Sequence, residues 1–194
     1  MPIRNQSMIR RDINRLLETC ERHADTQPAL AAILPAVKTA TEKVNMAWQQ
    51  YQQVVIMGNK ERQERDDAIR PLVQWIQRWR PVVFLTVPGA ETKIRALPSS
   101  GATPDDVIRV AEDMSLFIQK QESTATFKES AITEMNNLIE NARKETAEAT
   151  AILPQEAVTR QAFTDACLSA NTVLVNGTEI VRAIFGRTSR EYKQ

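Results

Sequence analysis

The stretch "LAAILPAVKTATEKVNMAWQQYQQV", residues 30–54, decides the fold. Its apolar positions are Leu30, Ile33, Val37, Ala40, Val44, Ala47, Tyr51 and Val54, and the steps between them alternate three and four. That rhythm is the seam of a helix packed against neighbours in a left-handed bundle. Pro35 falls in the first turns and marks the expected helix start. Extended onward, the rhythm reaches Leu72, Trp75, Trp79 and Val82, but loses its apolar residues across Gly58, Glu61 and Arg65. Pro71 is expected to bend the helix if it continues.

A second long run opens at "TPDD", where Thr103 suits an N-cap, Pro104 a first residue, and two acids the first turn. Its seam reads Val107, Ala111, Met114, Ile118, lapses over residues 119–130, and resumes at Ile132, Met135, Ile139 and Ala142. Pro154 ends this run or opens the last helix, whose seam is Val158, Phe163, Ala166, Ala170, Val173, Gly177, Ile180 and Ile184, stopping near Gly186. A short first helix carries Ile9, Ile13, Leu16 and Cys20 and ends before Pro28.

Four helices in the order short, long, long, medium predict an all-α, elongated up-down-up-down antiparallel four-helix bundle with a long central helical hairpin. One domain, residues 1–194, is expected, with a projecting hairpin tip at about 70–118, because two central helices of roughly 70–80 Å outreach the outer pair. With the hairpin turning near residue 95, residues 58–67 face residues 123–132. Both helices then lose their seams at one height, which reads as a solvated waist, a hinge, or a buried polar cavity.

Composition agrees with helices. Five glycines in 194 residues and 5% aromatic residues are too few for sandwiches or barrels. A net charge of +1 offers no general attraction to nucleic acid or anionic lipid. Cys20 and Cys167 make no disulfide framework, and each falls in an apolar helical stripe as a small buried hydrophobe. There is no secretory apolar core at the amino terminus and no run of about 18 apolar residues. A soluble, cytoplasmic protein is expected.

The chemistry-bearing patterns are thin. A di-iron bundle site needs Glu-x-x-His from two helices, and this chain has one histidine, His23. Cys20, His23 and Cys167 lack a fourth ligand for zinc. There is no Gly-x-Ser-x-Gly and no phosphate-cradling glycine loop. No catalytic, metal-binding or cofactor-binding residue is assigned, and no cofactor is expected. Arg10, Arg11 and Arg15, and Arg182, Arg187, Arg190 and Lys193, read as solvated charges without stacking aromatics, so no nucleic acid partner is expected.

Residues 70–101, "RPLVQWIQRWRPVVFLTVPGAETKIRALPSSG", gather two of the three tryptophans. Much of their apolar surface has a partner in Val107, Ile108, Val110, Ala111, Met114, Phe117 and Ile118. A local core is one reading. A two-helix tip has few layers to bury Trp75, Trp79 and Phe84, and surplus apolar area marks a partner. Arginines beside tryptophans match the composition of binding hot spots, so Trp75, Arg78, Trp79, Arg80, Val83 and Phe84 are the candidate partner-binding residues. A non-enzymatic interaction or scaffold role, through a protein partner or self-association, is the leading expectation. Docking of this Trp/Arg tip on a membrane surface is the runner-up; Asp105, Asp106, Glu112 and Asp113 offset its charge. An enzyme using unidentified acid/base carboxylates is third.

The ending "GTEIVRAIFGRTSREY", residues 177–192, resembles that of uncharacterised bacterial helix-bundle proteins, whose last helix closes in a similar Ile-Val-Arg, Phe-Gly, Ser and Glu-Tyr pattern. The resemblance covers about 16 residues and the helical layout. It implies a bacterial, non-enzymatic bundle. From the residues themselves, Gly186 reads as a helix stop after Phe185, with Tyr192 folding back over one end of the core.

Overall fold

The computed structural model describes residues 5–87, 89–97, 102–120 and 128–189. The chain is an all-α helical bundle of α1 (Gln6–His23), α2 (Pro28–Thr86), α3 (Ala90–Lys93), α4 (Pro104–Gln119), α5 (Lys128–Ala151) and α6 (Leu153–Phe185). Among the described residues there is no strand, and no helix is long and apolar enough to cross a membrane. Where the sequence led us to expect one domain, contacts gather in two compact units: Met1–Val55 with Pro154–Gln194 (unit 1), and Ile56–Leu153 (unit 2).

Helix α2 starts at Pro28 rather than Pro35, with Leu30 and Ala31 donating their N–H groups to the Gln27 carbonyl at 2.9 and 3.1 Å. It is helical through Pro35, Pro71 and Pro81. All three prolines are exposed, so water can satisfy the carbonyls that their missing N–H groups leave free.

Unit 1 packs α1, the first part of α2 and α6 around one core. Ile9, Ile13, Leu16 and Cys20 meet Leu30, Val37, Ala40 and Val44, and Phe163, Cys167, Ala170, Leu174 and Val181. Each large aliphatic side chain so buried contributes roughly 1.5–3 kcal/mol of transfer free energy. Helix α1 is antiparallel to α2: the Arg10 Nε–H donates to Asn45 Oδ1 at 3.0 Å, and the Thr41 hydroxyl reaches the Ile13 carbonyl at 3.4 Å. It is parallel to α6: Gln6 Nε2 donates to Thr164 Oγ1 at 2.8 Å, and the His23 ring lies 4.9 Å from that of Phe185. Gly177 lets α6 approach Leu16, which occupies the space a Cβ would take. The buried row on α6 is Cys167, Leu174 and Val181, one residue on from the expected Ala166, Val173 and Ile180, and Val158 is exposed. Apolar residues stand on both sides of that row, so periodicity alone could not choose between them. As expected, α6 stops at Gly186, whose φ of 84° suits glycine and whose N–H bonds the Arg182 carbonyl at 2.9 Å.

Unit 2 departs from the expected hairpin. Helix α4 begins as the sequence asks, with a capping box: Thr103 Oγ1 accepts from the Asp106 N–H at 3.2 Å and Asp106 Oδ2 accepts from the Thr103 N–H at 3.0 Å. The expected continuous third helix is instead two antiparallel ones. Ser115 Oγ bonds Asn136 Oδ1 at 3.3 Å and Glu112 pairs with Arg143, so moving back along α4 means moving forward along α5. Residues 121–127, which join the two helices, lie outside the described residues. Helix α5 also runs antiparallel to α2, with Arg78 beside Glu134 and Lys60 and Glu64 in one cleft with Lys144 and Glu148. Residues 58–67 therefore face residues 141–148; of the partners expected for them, 123–132, residues 123–127 lie outside the described residues.

The resulting core has three walls. Leu72, Trp75, Ile76 and Val83 from α2 meet Val107, Val110, Ala111, Met114 and Ile118 from α4, and Ala131, Met135, Ile139 and Ala142 from α5. Val87, Ala90 and Ile94 are buried in the same cluster. The expected two-helix tip at 70–118 is corrected accordingly: α5 supplies the missing layer.

Candidate functional site

The six candidate residues lie on one stretch of α2, and the third wall divides them. Trp75 is 1% exposed and Val83 0%, so both are core and neither offers surface to a partner. Trp79 is half-buried, its ring 6.2 Å from that of Trp75. Arg80 and Phe84, four apart and so on one flank of the helix, are also half-buried. The Arg80 guanidinium lies 4.9 Å from the Phe84 ring centroid, a cation–π contact. The Arg80 Nε is sealed from solvent with no hydrogen-bond acceptor among the described residues. On another flank Arg78 is exposed, 3.9 Å from Glu134, and Leu85 is 88% exposed. The acids beside these arginines are Glu134 for Arg78 and Asp67 for Arg70, at 3.3 Å, rather than those of α4.

Compared with known proteins, this chain matches no family model, no curated protein and no solved structure.

The cysteines are both buried, as their stripes required, and both thiols are pushed up by burial, Cys20 to about 11 with Glu21 adding to the effect. They do not meet. Cys167 Sγ lies 3.9 Å from the Gln6 carbonyl at one end of α1, while Cys20 and His23 lie at the other. Among the described residues the one group with metal-ligand spacing is Glu61, Glu145 and Glu148, within 4.8 Å of one another. Lys144 already offsets part of its charge: its Nζ lies 3.0 Å from Glu145 and 3.8 Å from Glu148, and hydrogen bonding to Glu145 raises the Lys144 pKa.

One site escaped the sequence reading. Arg10, expected to be a solvated charge, is half-buried at a pocket lined by Ser7, Arg10, Arg11, Asn14, Trp48 and Phe163. Its guanidinium stands 5.2 Å from the Trp48 ring centroid. Trp48 in turn packs on Phe163 at 5.1 Å and Tyr51 at 6.1 Å. A relay of amides fixes the arginine: Asn45 Oδ1 holds its Nε, Asn45 Nδ2 donates to Asn14 Oδ1 at 3.0 Å, and Asn14 Nδ2 donates to the Arg10 carbonyl at 2.6 Å. The legible signal was Arg10 four residues before Asn14 on one helix face. Trp48 and Asn45 join them only through the antiparallel pairing of α1 and α2. Arg182, by contrast, is held by Glu179 at 2.8 Å, and Arg190, Tyr192 and Lys193 lie outside the described residues.

Proposed function

We propose that this chain is a non-enzymatic interaction protein that engages a protein partner through α2 around Trp79, Arg80, Phe84 and Leu85, with Arg78 at the rim. The observation that carries the reading is Arg80, stacked on Phe84 with its Nε desolvated and without an acceptor among the described residues. A buried donor without an acceptor costs about 1–3 kcal/mol, and a partner's carbonyl or carboxylate would recover it. Half-buried aromatic and arginine side chains are the usual anchors of binding hot spots. Leu85 adds exposed apolar area on the neighbouring flank.

The test is co-purification from the native host with the wild-type chain, Phe84→Ala and Arg80→Ala, alongside sedimentation to read self-association. Either substitution should weaken the complex by about 2 kcal/mol or more while the helical signal persists. An unchanged set of partners and unchanged self-association in both variants would defeat the reading. Binding of the wild type to anionic vesicles, reversed by salt, would replace it with membrane docking.

A further inference from the structure

We infer that the Arg10 pocket of unit 1 is a binding site for a small carboxylate with a flat apolar body. This inference is independent of the surface on α2 discussed above. Its first support is charge. Arg10 is half-buried, and it contacts two neutral groups, the Asn45 amide and the Trp48 face; no carboxylate pairs with it among the described residues. Two other half-buried arginines have acids beside them, Arg65 with Asp66 at 2.6 Å and Arg182 with Glu179 at 2.8 Å, whereas Arg80 shares with Arg10 a seat against an aromatic face. A guanidinium removed from water without an anion is an incomplete pair.

The second support is preorganisation. The Asn45–Asn14 relay and the Trp48 ring hold the Arg10 side chain in place before any ligand arrives, so little rotamer freedom remains to be lost on binding. Asn45 occupies the Nε–H. That leaves the Nη1/Nη2 edge, whose two parallel donors match the two oxygens of a carboxylate. Arg11, half exposed and paired with Asp12 at 3.0 Å, brings a second cation to the rim, and Ser7 and Asn14 bring further polar groups.

The third is the shape and lining of the cavity. Its volume is about 140 Å³, and Trp48 and Phe163 supply an aromatic wall. A cavity near 150 Å³ accommodates a benzene-sized body. A benzoate-like or short aliphatic acid fits, with its carboxylate on Arg10 and its body against Trp48 and Phe163. The same chemistry is presented by the carboxyl terminus of a peptide ending in an apolar residue.

The experiment titrates the isotope-labelled full-length protein with sodium benzoate and follows the Trp48 indole N–H resonance, assigned by its loss in Trp48→Phe. A saturable shift of Trp48, with the Trp75 resonance unmoved, is expected. Benzamide, which keeps the ring and removes the charge, should give none. Arg10→Gln should weaken binding about ten-fold or more, and Arg11→Gln, at the rim, about two- to five-fold. Should Arg10→Gln fail to fold, the benzamide control and Arg11→Gln still decide. N-acetyl-phenylalanine tells the two sources apart: tighter binding than benzoate assigns the site to a peptide terminus, and weaker binding to a free acid. No saturable shift at about 50 mM benzoate, equal binding of benzamide, or full affinity in a folded Arg10→Gln would each overturn the inference.

Discussion

Units 1 and 2 each bury three helical faces, but with different side chains and from different parts of the chain. Unit 2 sets a few large groups against small ones: Trp75, Met114 and Met135 stand among Ala111, Ala131 and Ala142. Unit 1 buries one large side chain, Phe163, and spreads the rest of its core over medium and small residues, including Cys20, Cys167, Ala40, Ala170 and the close approach at Gly177. Unit 2 is contiguous, residues 56–153, whereas unit 1 joins segments from both ends of the described chain. A core centred on a few large side chains concentrates its stability in them. A core of many small contacts loses less at most single positions, and forms only when distant segments meet.

The two units carry their own reporters, which makes this contrast testable. Trp75 and Trp79 belong to unit 2, and both cysteines to the core of unit 1. The largest effect is expected from Trp75→Ala, about 3–5 kcal/mol by urea unfolding, because it opens a large cavity. If the cores are energetically separate, native labelling of the Cys20 and Cys167 thiols should stay slow in that variant. Phe163→Ala should do the reverse, accelerating thiol labelling while leaving the Trp75 environment unchanged. Accelerated labelling in both variants would show one cooperative core. Trp75→Phe should cost less than Trp75→Ala, since the Trp75 indole N–H is buried without an acceptor among the described residues and its removal returns part of the loss.

Next in size is a pH effect confined to unit 1. Burial, then Glu21, lifts the Cys20 thiol from its ordinary 9.0 to about 11. The folded state therefore keeps its proton after the unfolded chain has lost it. Below pH 9 both states are protonated and Cys20 gives no slope. From pH 9 to 11 stability should fall, by on the order of 2–3 kcal/mol at most. The difference between wild type and Cys20→Ala in urea midpoint across that range isolates this slope from other titrations, and a constant difference would refute it. The smallest expected effect is Thr103→Ala, about 1 kcal/mol from the lost cap of α4. Asp106 is held below the ordinary carboxylate range by its hydrogen bonds to Thr103. The cap should therefore weaken only as pH falls through that depressed value, and Thr103→Ala should flatten the acid limb of the stability curve.

What the sequence showed follows from which signals are local. The seam of residues 30–54, the cap at Thr103, the stop at Gly186 and the burial of Cys20 and Cys167 each depend on spacing within one helix, and each was legible. The reversal between α4 and α5 was not. Residues 119–130 contain neither glycine nor proline, so nothing in the sequence punctuates a break there, and a polar lapse in a helical seam resembles a solvated stretch. That one reading displaced the pairing of residues 58–67 and made Trp75 and Val83 look like surface. The Arg10 pocket was hidden for a related reason: its arginine, amides and aromatic wall come from three helices, and no pattern along one of them announces the cluster.

The division of unit 1 between two distant segments has a consequence on the ribosome. Chains emerge at about 5–20 residues per second, so on the order of ten seconds separate completion of residue 55 from that of α6. Throughout that interval unit 2 can be finished, while Leu30, Val37 and Val44 wait with only α1 beside them. The nascent chain thus presents a bare aliphatic stripe for seconds, long enough for a holding chaperone to bind it or for neighbouring copies on one message to exchange their α6 helices. Slowing translation downstream of residue 153 should lengthen the wait and increase the yield of such swapped or aggregated chains.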